Sequence, residues 1–212
     1  MNFGEFKQEV WEAAKLSGHP KFDVSSGARL TALCNRRLQS FTSSTLCLWS
    51  DGITVTLTTN SHTYSLLDTA VFSQALAKVT EIALDGVPLR RLRRPFEGYL
   101  QVAAGRPEYW WPVLPNHVRL SRTPSGVTET VLAAGHVIEP AHVKDTETIS
   151  VPDRFLDDAF RHCAIPMLEP PGSKEATLAV NRLIQLDAAR VAEIQASCDF
   201  ADHLPGYRTG GA

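Results

Sequence analysis

The stretch KVTEIALDGVPLRRLR, Lys78 to Arg93, places short apolar and β-branched runs on either side of Asp85-Gly86. That dipeptide tolerates positive φ and suits a tight hairpin turn, so two short strands are predicted to meet there. A similar pattern begins upstream at Gly52, where Ile53, Val55 and Leu57 alternate with Thr54, Thr56 and Thr58. The alternation predicts a strand, and TNSH before TYSLL predicts a turn into a second one, giving another hairpin. Further strands are predicted at Val118 to Ser121 and Val127 to Ala133.

Outside this region the period is helical. Phe3, Phe6, Val10, Ala13 and Ala14 recur at helical spacing before a stop at Ser17 to Pro20. Ser25 or Ser26 is placed to cap a second helix, on which Leu30, Leu33, Cys34, Arg37, Leu38 and Phe41 share a stripe. After Ile149, Pro152 and Asp153 open a helix carrying Phe155, Leu156, Ala159, Phe160, Cys163 and Ala164, which Pro166 ends or kinks. Ser173 caps a long helix with Ala176, Val180, Leu183, Ile184, Val191 and Ile194 at the 3.6-residue period. Apolar stripes at both ends of the chain need each other. The expected fold is therefore α+β: a helical bundle from 1–50 and 150–200, an inserted antiparallel β-domain at 51–149, and a flexible tail at 201–212.

The 212 residues are 43% hydrophobic and 21% charged, with 21 Lys plus Arg against 23 Asp plus Glu, a net charge of −2. Proteins held on DNA by phosphate contacts usually carry a basic excess, so a general DNA-binding surface is not expected. The first residues, MNFGEFKQEVW, are no signal peptide, and no segment is long and apolar enough to cross a bilayer. Neither a phosphate-binding nor a dinucleotide-binding glycine motif occurs, and neither do HExxH and GxSxG, so no enzyme is expected. Cys34, Cys47, Cys163 and Cys198 are scattered and without zinc spacing, and the seven His run from His19 to His203 with no third ligand near His136 and His142. No metal or cofactor is expected. Cys163 beside His162 reads as a buried thiol, and Asp153, Asp157 and Asp158 as a solvated helix start.

Two polar features stand out. Arg90, Arg91, Arg93 and Arg94 form either a solvated strand end or a docking patch for acidic surface or phosphate. In GRPEYWWPVLPNHVRLSRTPSG, Gly105 to Gly126, Trp110 and Trp111 point to opposite sides of an extended chain, which predicts one core and one interface residue. In the tail, Leu204 and Tyr207 with Pro205 are candidate anchors for a groove on a partner.

The order of these elements resembles the head-to-tail adaptor, or connector, proteins of tailed bacteriophages, over nearly the whole chain. The residues that carry the resemblance are Asn35 to Gln39, Trp49, Tyr64 with Leu66, Asp85 to Leu89, Gly105 to Trp110, Leu120 to Pro124, and DTETISVPDRFLDDAF. Each motif is weak alone, and LAAGHVIEP departs from the pattern by lacking an aromatic. The resemblance implies a structural virion protein, assembled in host cytoplasm. It implies a ring, commonly of twelve copies, on the portal protein, passing genomic DNA and offering a platform to the next tail or nozzle protein, with no membrane partner. It also implies a C-terminal segment that orders along the portal. The alternative from another class is a DNA-binding module using Arg90 to Arg94 with Trp110 or Trp111; an enzyme rival would be a cysteine hydrolase using Cys163.

Overall fold

The residues that alternate in mid-chain and those that recur every three or four positions at its ends form separate units, Trp49–Ile138 and Met1–Leu48 with Glu139–Ala212. A computed structural model describes residues 1–17, 27–57, 61–92, 104–113, 115–123, 131–168 and 172–201. The chain is thus α+β, as expected. Among the described residues no helix is long and apolar enough to cross a membrane.

The helical unit contains α1 (Phe3–Ser17), α2 (Gly27–Thr45), α3 (Leu156–Ala164) and α4 (Lys174–Ala201). Phe3, Phe6, Val10, Leu30, Cys34, Leu38, Phe41, Phe155, Ala159 and Cys163 are buried together, so the stripes read from the sequence do meet in one core. At the start of α1, Asn2 Oδ1 accepts the Glu5 N–H at 2.8 Å and Glu5 Oε2 accepts the Asn2 N–H at 3.0 Å, a reciprocal cap. The Ser25 and Ser26 cap lies outside the described residues. A 3₁₀ turn at Asp153–Phe155 follows Pro152, and Pro166 opens a second one at Ile165–Met167 that ends α3. Ser173 Oγ accepts the Ala176 N–H at 3.3 Å and caps α4.

The segment 139–149 was expected in the β-domain, but it belongs to the helical unit. Its polar groups complete that unit. Asn35 donates through Nδ2 to the His142 carbonyl and accepts the His142 N–H through Oδ1, both at 2.9 Å. Thr42 Oγ1 accepts the Glu139 N–H at 3.1 Å. The carbonyls of Glu147 and Asp145 accept the Phe3 and Gly4 N–H groups that α1 cannot satisfy internally, at 2.8 and 2.9 Å. A Cβ on Gly4 would stand 2.9 Å from that of Asp145, so only glycine lets the segment approach this closely. Within the segment the His142 ring stacks on Phe3 and lies between Glu139 Oε1 (2.8 Å) and Glu147 Oε2 (3.4 Å). The Val143 N–H, donated to Glu147, and then the Lys144 backbone and His142, hold the Glu147 carboxyl below its usual range.

In the other unit β1 (Trp49–Val55), β2 (Thr63–Ser65), β3 (Leu76–Leu84), β4 (Val87–Pro88), β5 (Arg90–Arg91), β6 (Tyr109–Val113), β7 (His117–Leu120) and β8 (Val131–Val137) make two four-stranded sheets. Their orders are β1-β8-β3-β4 and β2-β7-β6-β5. Ile53, Tyr64, Phe72, Ile82, Leu84, Trp110, Val118 and Leu120 fill one core drawn from both sheets. The turn at Asp85 (φ 49°) and Gly86 (φ 75°) joins β3 to β4 as the dipeptide predicts. The expected β1–β2 hairpin does not form: β1 pairs with β8, and β2 with β7 in the other sheet. Alternation fixes which side chains turn inward and leaves the partner strand open. The pairing is antiparallel except between β5 and β6. At a bulge in β3, Gly135 of β8 faces the Lys78 carbonyl so closely that no side chain fits.

Candidate functional site

Register brings two of the singled-out residues together at the end of the β-unit. The N–H groups of Arg90 and Leu92 donate to the carbonyls of Glu108 (3.1 Å) and Trp110 (2.9 Å), which fixes β5 parallel to β6 with Arg91 beside Trp110. The Arg91 guanidinium carbon then lies 5.3 Å from the centre of the Trp110 ring, a cation–π arrangement. Arg90 and Arg91 are both exposed, and among the described residues neither forms an ion pair. Beneath Arg91 is a cleft of about 140 Å³, lined also by Lys78, Leu66, Trp110, His117 and Val118.

The stretch that carries Trp110 is fixed scaffolding. Ser121 Oγ accepts the N–H groups of Glu108 (3.1 Å) and Tyr109 (3.2 Å), and Arg106 Nη2 donates to the Leu84 carbonyl at 3.2 Å. Trp110 is 1% exposed and Trp111 4%, so the expectation of one outward Trp fails. Opposite sides of a strand are both covered here, and neither indole offers a face to a nucleobase. Arg93, Arg94, Leu204 and Tyr207 lie outside the described residues.

No cysteine is exposed among the described residues of the helical unit. Cys34 and Cys163 are fully buried, and burial raises the Cys34 thiol to about 12 and that of Cys163 well above its ordinary range. Burial likewise lifts Cys47 to about 11. Such thiols carry almost no thiolate at neutral pH. His162 Nδ1 donates to Asp187 Oδ2 at 2.8 Å, and its backbone carbonyl accepts from Arg37 Nε (3.2 Å) and Nη2 (3.0 Å). Burial, and next the charge of Arg37, hold the imidazole below its ordinary value. Its Nε2 is buried and has no partner among the described residues. No three of His, Cys, Asp and Glu are grouped to hold a metal ion among the described residues.

The stripe expected on α4 is covered over only part of its length. Ile194 is buried and Val191 and Cys198 pack against the core, whereas Ile184, an expected stripe residue, is exposed, as are Leu178 and Leu186. Ala176, Val180 and Leu183 are half-buried. Periodicity alone missed this, because apolar residues surround the first turns of α4 rather than lining one face of them.

Neither a family model nor a curated protein matches the sequence.

Proposed function

We propose that the chain is a head-to-tail adaptor of a tailed bacteriophage: a structural, non-catalytic subunit of a ring that docks on the portal protein, passes genomic DNA and receives the next tail component. The observation that carries this reading is the first half of α4. Leu178, Ile184 and Leu186 are 59%, 45% and 55% exposed on a helix with apolar residues all round, a pattern that belongs in a protein interior or an assembly. The order of motifs along the chain supports it, as does a β-unit inserted between helices that pack together from both ends. Subunits of a ring meet through two different faces, so each copy needs at least two interaction surfaces. The uncovered helix and the arginine-bearing end of the β-unit supply two candidates. A net charge of −2 suits a conduit through which DNA slides, since a strongly basic lumen would retain phosphates.

The test is to mix the purified chain with its portal protein and image the product. Rings seated on the portal are expected. Absence of a complex by sedimentation and imaging removes the adaptor reading. Salt-sensitive binding to free duplex DNA, with no portal complex, favours the DNA-binding alternative instead.

A further inference from the structure

The cleft at Arg91 unites an exposed cation, without an ion pair among the described residues, with an apolar floor. Its volume of about 140 Å³ sets the size of the guest. Small-molecule and cofactor sites usually occupy roughly 300–1,000 Å³, whereas an apolar cavity of about 150 Å³ holds a single benzene-sized group. One side chain fits. Leu66, Val79, Trp110, Pro112 and Val118 supply the apolar walls that such a side chain requires.

The charge around the opening selects the chain that carries it. Lys78 and Arg91 line the cleft, and neither Asp nor Glu is among its described lining residues. Two cations, Lys78 and Arg91, thus line one small apolar opening. The guanidinium is already positioned by the Trp110 ring at 5.3 Å, so little rotamer freedom is lost when a carboxylate approaches. Arg91 is exposed over the indole, and its guanidinium carries several N–H donors for a carboxylate.

We propose that this cleft is an anchor site for a peptide segment of a partner protein, one that inserts a single large apolar side chain flanked by Asp or Glu. The apolar side chain takes the space beside Trp110 and Val118. The flanking carboxylates pair with Arg91 and, at the rim, with Lys78. The site stands on the cleft itself, and it holds or fails separately from the adaptor reading.

The experiment uses the full chain, labelled with ¹⁵N, and three capped pentapeptides: a central Phe between glutamates, a central Gly between glutamates, and a central Phe between lysines. Oligo-dT serves as the nucleic-acid arm. The glutamate–Phe peptide is expected to move the Trp110 indole signal and the amide signals of Arg91 and Val118. The Gly and lysine peptides are expected to bind at least about tenfold more weakly, the loss of one charge-assisted contact or one buried side chain. R91Q should give the same weakening with an unchanged spectrum elsewhere. If R91Q disturbs the fold, K78Q is read instead, with a smaller loss in the same direction. Equal binding of the glutamate and lysine peptides, no shift at Trp110, or preferential binding of oligo-dT at these signals overturns the proposal. Portal binding measured on R91Q separates the two readings: retained rings with lost peptide binding leave both intact.

Discussion

The two halves of α4 differ more in their surroundings than in their composition. From Asp187 onward the helix is engaged: Asp187 accepts from His162, Arg190 pairs with Asp158 at 3.2 Å, and Ile194 is 2% exposed. Before Asp187, Leu178, Ile184 and Leu186 stand in water. Helix propensity is much the same along both halves, so the difference lies in tertiary cover. These exposed apolar side chains are the surface that the proposed assembly would cover.

Substitutions in the two halves should therefore separate stability from assembly. The largest effect on folding is expected for Ile194→Ala, which opens a cavity in the helical core and should cost about 2–5 kcal/mol in urea unfolding. A loss below about 1 kcal/mol would show that this half of α4 is not held as described. Next comes Asp187→Ala, which leaves His162 Nδ1 without its acceptor in a buried setting and should cost about 1–3 kcal/mol.

A smaller effect is expected from pH. The folded protein holds His162 below the ordinary imidazole value of about 6.5, so the unfolded chain takes up its proton first as pH falls. Stability associated with neutral His162 is present above about pH 6.5 and is lost as pH falls toward the folded value. The slope of unfolding free energy below pH 6.5 should be shallower in His162→Asn, whose amide can still donate to Asp187. An unchanged slope would assign the acid sensitivity elsewhere. The smallest effect on stability is expected for Leu178→Ser with Leu186→Ser, within about 0.5 kcal/mol of the parent, because exposed side chains have little to lose.

How far these features were legible in the sequence depended on the range over which each is determined. The β3–β4 turn was readable because Asp85-Gly86 fixes it locally. The partners of β1 were not, since its alternation is satisfied by any strand that presents an apolar face. The segment 139–149 was placed in the β-domain because the helical period resumes only after Ile149, and among the contacts that attach it to the helical unit is that of Asn35, 107 positions before His142. Arg91 and Trp110 were each visible as unusual residues, yet their stacking needs the parallel β5–β6 register, carried by two residues of strand. Lys78 and His117, which complete the cleft, carry no local signal at all. One of Trp110 and Trp111 was expected to face outward because alternation was taken to mean one covered side; here both are buried.

The most direct test of the central claim is assembly of the Leu178→Ser, Ile184→Ser, Leu186→Ser triple variant with the portal protein, followed by sedimentation velocity and by electron microscopy. The variant is expected to melt within a few degrees of the parent and yet to form no ring on the portal, while the parent does. A triple variant that is folded and assembles as well as the parent would contradict it.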